Sequence, residues 1–148
     1  YNFGSNIKSD VTPLNKVIKK LLEVGGIVAM KDPTRGGLSN SLNEWSQKSK
    51  VGLMISEQKV PVRGDVRAAC EMLGLDPMEI GNEGKVLIGV VPQKAEQVLA
   101  VLKETKEGKD AQIIGEATND FTEVVLETVV GGKRIIAPPV GDPVPRIC

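Results

Sequence analysis

The chain has 148 residues, enough for one domain that buries roughly two-thirds of its unfolded surface without disulfide or metal staples. Nineteen basic residues balance nineteen acidic ones and only four residues are aromatic, which argues against the basic stripe and stacking platform of a nucleic-acid binder. There is no histidine, so acid–base chemistry falls to carboxylates, lysines, a thiol or a tyrosine, and the commonest metal ligand is missing.

Asp10 is a good N-cap, and Pro13 falls in a first turn, where a missing N–H costs little. Leu14, Val17, Ile18, Leu21 and Leu22 then repeat at helical spacing until Gly25-Gly26 stops the helix. Ile27 to Met30 reads as a short buried strand, followed by a loop from Lys31 to Gly37. Leu38, Leu42 and Trp45 predict a second helix ending near Lys50, and Val51 to Ser56 a strand. Val66, Ala69, Cys70 and Leu73 line a third helix closed by Gly74. Lys85 to Val91 is strand-like, and Pro92 opens a fourth helix with Ala95, Val98, Leu99 and Leu102 on one face. Ala111 to Gly115 is a further candidate strand. Glu123 to Val130 and Lys133 to Ala137 flank Gly131-Gly132 as a hairpin. The pattern is α+β, with about five strands and four helices in a sandwich of α and β layers.

Both ends differ from this body. Residues 1–8 start without methionine and read as an expression scar or the cut end of a longer chain. Residues 9–137 form the domain. Residues 138–148 carry Pro138, Pro139, Pro143 and Pro145, which forbids a helix or central strand and favours an extended tail. No apolar run reaches membrane-spanning length. The two cysteines, Cys70 and Cys148, have no metal-binding or disulfide spacing, and a reducing cytoplasm is the expected setting.

Three segments stand out chemically. Asp32-Pro33-Thr34-Arg35-Gly36-Gly37 joins a strand to a helix. Glycines let backbone approach a ligand, amides at a helix start attract anions, and Arg35 adds a forked donor for phosphate. The alternative is a tight turn capped by Asp32 or Thr34, with Arg35 in a surface pair. Asn82-Glu83-Gly84-Lys85 places a carboxylate at the mouth of a sheet, as a base or as a polar turn. Pro143-Val144-Pro145-Arg146-Ile147-Cys148 puts a thiol at the end of a proline spacer, while Cys70 belongs to a helix's apolar face and is expected in the core.

These segments follow one another in an order that resembles a known family. Ser9-Asp10-Val11, Asp32 to Gly37, Leu73-Gly74-Leu75-Asp76, Asn82 to Lys85, Gly108-Lys109-Asp110, Ile114-Gly115-Glu116 and Pro145-Arg146-Ile147-Cys148 are similar to the C-terminal domain of the HypE hydrogenase maturation factors. These are carbamoyl dehydratases of the aminoimidazole ribonucleotide (AIR) synthase-related superfamily. The Thr-Arg-Gly-Gly loop marks the superfamily, and Pro-Arg-Ile-Cys is the specific signal. The resemblance implies a three-layer α/β arrangement, partly ferredoxin-like, with a mixed sheet and flanking helices. It implies that HypF carbamoylates Cys148, and that the thiocarboxamide is dehydrated with ATP to a thiocyanate. The cyano group then passes to iron in the HypC–HypD complex and becomes a ligand of the [NiFe] hydrogenase centre. Glu83 is the implied base. Asp32, Thr34, Arg35, Gly36, Gly37 and Asn82 are implied to lie near phosphate, and none of them as a metal ligand. In that family an N-terminal domain supplies most contacts to ATP and Mg2+ and the dimer barrel, so this chain alone is expected neither to bind ATP tightly nor to be active. Two rivals remain: the C-terminal domain of another ATP-dependent enzyme of the superfamily, which has no need of the Cys148 thiol, and a non-enzymatic ferredoxin-like interaction module.

Overall fold

The computed structural model describes residues 13–140. The Asp10 cap, residues 1–8, the Pro143 to Cys148 segment and Cys148 itself lie outside them. The described residues form four helices and six strands, alternating as far as β4: α1 (Asn15–Val24), β1 (Ile27–Lys31), α2 (Gly37–Ser49), β2 (Gly52–Ser56), α3 (Gly64–Leu73), β3 (Leu87–Val90), α4 (Ala95–Lys103), β4 (Gly115–Thr118), β5 (Val124–Glu127) and β6 (Lys133–Ile135). Single 3₁₀ turns at Glu57–Lys59, Pro77–Glu79 and Pro92–Lys94 link them.

The strands form two sheets. β2, β4, β5 and β6 make a mixed sheet in the order β4-β2-β5-β6, with β2 and β5 parallel and the outer pairs antiparallel. Register places Leu53 beside Val124 and Ile55 beside Leu126. Side chains alternate across a strand, so these four share one face, and all are buried. Leu42 of α2, Met78 and Ile136 complete this core, with Leu38 and Trp45 of α2 packed at its margin. Each large side chain so buried contributes about 2 kcal/mol relative to exposure. β1 and β3 pair antiparallel as a separate ribbon. It supports a second core, in which Val17 and Leu21 of α1, one helical turn apart, meet Val98 of α4 beside Ile27, Ile88 and Val90.

The helical periods place all four helices, and Gly25 and Gly74 close α1 and α3 as expected. Some details differ. β1 is not a buried strand: one side of the two-stranded ribbon is uncovered, and Val28 is 70% exposed. Leu22 and Leu73 also face outward, because each is a step off the stripe that its helix buries. The strand expected at Ala111 to Gly115 lies instead at Gly115–Thr118. β4 is an edge strand held to β2 by backbone pairing, and nearly all its residues are exposed, so no apolar alternation marks it. The β5–β6 hairpin turns through Thr128 to Gly132: the Gly131 N–H donates to the Thr128 carbonyl and the Thr128 N–H to the Gly132 carbonyl.

α2 carries an unusual number of small polar residues on its buried side. Ser39, Ser41, Asn43 and Ser46 are all buried. The Asn43 amide donates to the Ser39 carbonyl at 2.9 Å and to the Ile136 carbonyl at 3.1 Å. Ser46 Oγ donates to the Thr122 carbonyl. These bonds tie the helix to the segments at the two ends of the β5–β6 hairpin. Beyond Ile136, residues 137–140 adopt neither helix nor strand.

Candidate functional site

Two loops that are far apart in sequence meet at the N-terminus of α2. Gly36 is the cap residue, left-handed at φ 69°, and Gly37 follows at φ 62°. Neither Asp32 nor Thr34 caps the helix, which has no side-chain cap and no acidic residue in its first turn. The positive end of a 13-residue helix is therefore not neutralised from its own sequence. That is the arrangement in which backbone amides attract an anion.

The second loop is held directly against this turn. The Asn82 N–H donates to the Pro33 carbonyl at 2.8 Å. Gly81 lies so close to the Thr34 carbonyl that a Cβ there would collide with it, and a Cβ on Gly37 would sit 2.6 Å from the carbonyls of Met78 and Ile80. Both glycines are thus demanded by the seam between the loops. Asn82 Nδ2 donates to the Ile80 carbonyl at 2.9 Å, and its Oδ1 accepts from Lys85 Nζ at 2.6 Å. Arg35 and Lys85 so contribute two cationic side chains to the joined loops. Asp32, Arg35 and Glu83 are exposed, Thr34 and Asn82 half-buried, and Gly36 and Gly37 buried.

The structure therefore brings together Asp32, Thr34, Arg35, Gly36, Gly37, Asn82 and Glu83. Cys148, the remaining candidate, lies outside the described residues. Near the end of the described residues, the Pro139 ring lies against Gly36, where a Cβ would stand 2.9 Å from Pro139 Cγ. Cys70 is buried, at 3% exposure, and burial pushes its thiol up from the ordinary range, helped by Asp76 and Glu71.

Sequence reasoning missed two residues that bear on the loop. Asn40, in the opening turns of α2, donates through Nδ2 to the Arg35 carbonyl at 3.0 Å and to Glu44 Oε1 at 3.1 Å. The other Glu44 oxygen accepts from Lys31 Nζ of β1 and, at 3.3 Å, from Lys48. The Lys31 hydrogen bond holds the Glu44 carboxyl below the usual range, against a smaller opposing effect of burial. The available signal was the i, i+4 spacing of Asn40 and Glu44, which on its own reads as a solvated helix face.

Glycine amides, a helix start and Arg35 fit the phosphate groups of a nucleotide. The donor set does not fit a magnesium site in the same way: among the described residues no three Asp, Glu, Cys or His side chains come together. An open cleft of about 370 Å³ lies elsewhere, lined by Glu57, Arg67 and the Asp76–Arg134 ion pair, and contains none of the candidate residues. Among the described residues no helix is long and apolar enough to cross a membrane.

The chain is similar to known proteins over nearly its whole length. The family model described as "AIR synthase related protein, C-terminal domain" matches residues 4–127. A Methanocaldococcus jannaschii protein, provisionally called a hydrogenase expression/formation protein, is 51% identical over all of this chain and 44% of its own length. The carbamoyl dehydratase HypE of Bradyrhizobium diazoefficiens is 43% identical over 99% of this chain and 43% of its own length. Among solved structures, HypE in complex with ATP superposes with a TM-score of 0.90 at 40% identity, covering 97% of this chain and 45% of that one. The HypE–HypF complex does so with 0.88 at 43% identity, covering 93% and 45%. The chain spans less than half the length of these relatives.

Proposed function

Because the chain belongs to the AIR synthase-related C-terminal domain family, and is similar over nearly its whole length to HypE, we propose that it is the C-terminal half of an ATP-dependent carbamoyl dehydratase of [NiFe]-hydrogenase maturation. The observation that carries this reading is the seam at the start of α2: an anion-seeking turn, the Glu83 loop bonded to it, and the root of the Cys148 segment lying on Gly36. The HypE–HypF structure supports a carbamoyltransferase partner, and the ATP complex supports the nucleotide.

In this reading the Cys148 sulfur first receives a carbamoyl group from HypF. ATP supplies the phosphoryl group that makes the amide oxygen a leaving group. Arg35 and the backbone N–H of Gly36 orient and offset the phosphate charge beside the Gly37 turn, whose own N–H donates to the Thr34 carbonyl, an effect worth about a hundred- to a thousandfold per well-placed donor. The Glu83 carboxylate takes an N–H proton as the C–O bond breaks, and loss of the second N–H proton completes the C≡N bond. Thiocarboxamide and ATP thus become thiocyanate, ADP and phosphate. Asn82, bonded to Pro33 and Lys85, keeps the Glu83 loop on the Arg35 loop. The cyano group then passes to iron in a HypC–HypD partner in the cytoplasm, two electrons from that partner breaking the S–C bond to leave a Cys148 thiolate and an iron-bound cyanide. In this reading a further domain of the full-length protein would supply the remaining ATP contacts, any Mg2+ ligands and the dimer interface, and no step is assigned to a metal held by this chain.

Mass spectrometry of the full-length protein incubated with HypF, carbamoyl phosphate and ATP tests the proposal. A carbamoyl adduct on Cys148 that converts to cyano is expected. With Glu83→Gln the carbamoyl form should accumulate, dehydration slowing about a hundredfold or more. An unmodified Cys148 refutes the carrier role, and wild-type thiocyanate formation by Glu83→Gln removes Glu83 from the chemistry.

A further inference from the structure

We propose that Asn40, braced by Glu44, is a positioning residue that fixes the orientation of the Arg35–Gly36 peptide and so aims the Gly36 N–H at a phosphate oxygen. The inference rests on the phosphate-binding reading of the Asp32 to Gly37 loop. It begins from a donor count. A carbonyl oxygen and a carboxylate oxygen are both acceptors, so only an NH₂ group at position 40 satisfies Arg35 O at 3.0 Å and Glu44 Oε1 at 3.1 Å together. The side chain's orientation is thereby decided, and both of its N–H donors are used.

The peptide between Arg35 and Gly36 is planar and trans. With its carbonyl drawn toward Asn40, its N–H points the opposite way within the peptide plane, away from Asn40. Gly36 is left-handed, a conformation from which a neighbouring peptide plane turns over readily because no Cβ opposes it. A pin on the Arg35 carbonyl is therefore what selects one orientation. Glu44 keeps Asn40 in place, and its second oxygen is anchored by Lys31, on the strand that leads into the loop. The brace thus spans both sides of the loop. It also offsets the Lys31 charge.

The test uses the 148-residue chain and inorganic phosphate as probe. Asn40→Asp keeps the shape and replaces the NH₂ donors by acceptors, while an acid near a helix start is otherwise favourable. Two quantities are read by NMR: the residual dipolar coupling of the Gly36 N–H, which reports peptide orientation, and the phosphate affinity from amide shifts of Gly36 and Gly37. The expected result is a changed Gly36 coupling and phosphate affinity weakened about tenfold, the loss of one well-aimed donor. Asn40→Asp combined with Glu44→Gln supplies a donor to the new carboxylate, so the thermal midpoint should rise above that of Asn40→Asp while the Gly36 coupling and the affinity stay altered. An unmoved Gly36 coupling in Asn40→Asp overturns the positioning role, as does full recovery of affinity in the double variant. Failure of the wild-type loop to respond to phosphate at all instead sinks the phosphate reading on which the proposal rests, and is distinguishable because the coupling is measured without phosphate.

Discussion

Asn43 offers a direct test of what anchors the end of the domain to α2. It is 8% exposed and donates to the carbonyls of Ser39 and Ile136. The two acceptors are not equivalent. Ser39 O lies inside the helix, where the backbone N–H four residues on already serves it. Ile136 is 4% exposed and its N–H is spent on Val124 O, so its carbonyl depends on Asn43. In Asn43→Ala that carbonyl is left buried without its partner, which costs about 1–3 kcal/mol, and the lost side-chain contacts bring the total to about 2–3 kcal/mol. At about 2–4 °C per kcal/mol for a domain of this size, the melting midpoint should fall about 5–10 °C. Asn43→Asp should be worse, since it turns a carboxylate toward two carbonyls. Circular dichroism melts with urea titrations provide the check. A loss below about 1 kcal/mol in Asn43→Ala would show that the Ile136 carbonyl finds another partner and that α2 does not hold the hairpin's exit.

Ser41→Ala should stabilise the chain by about 1 kcal/mol, because the Ser41 hydroxyl is fully buried with no partner among the described residues and alanine favours the helix; a loss of stability by urea titration would mean that the hydroxyl is bonded. Cys70 should resist iodoacetamide in the folded chain and react in urea, because burial both shields the thiol and disfavours its thiolate; peptide mass mapping that finds Cys70 labelled in the native state would contradict its place in the core. Glu44 has a folded pKa below its unfolded value, so its contribution is present above the unfolded pKa and lost as pH falls through the folded one. The stability gap between wild type and Glu44→Gln should therefore exist at neutral pH and close below about pH 4, in urea titrations across pH.

How much of this was visible in the sequence depends on the kind of contact involved. Val17 with Leu21, Leu42, Val98 and the alternating Leu53 and Ile55 announce their elements because periodicity in one dimension becomes a buried face in three. β4 escaped because an exposed edge strand is specified by backbone pairing, which leaves no mark on residue type. The candidate loops were each readable from their glycines, but their union was not. It depends on the bond from Asn82 to Pro33 and on the bare face of Gly81 against Thr34, between positions nearly fifty residues apart. Only the family resemblance linked them beforehand. Asn40 was hidden for another reason: a polar residue on a helix whose partner is a main-chain carbonyl resembles any solvated side chain.

The contact between Gly36 and Pro139 sets a length scale for the proposed carrier role of Cys148. From Pro139 to Cys148 there are nine residues, and an extended chain spans at most about 3.3–3.6 Å per residue. With its origin seated on the loop, the Cys148 sulfur is confined by covalent geometry to within about 30 Å of Gly36. One group confined to a sphere of that radius has an effective concentration on the order of ten millimolar. If Cys148 carries the substrate as proposed, such a local supply leaves the dehydrating site little need of strong affinity, and a tightly held carrier would only slow transfer to the next protein. Recognition can then be concentrated on the group carried by the sulfur, so that the same leash serves the loaded and unloaded forms alike.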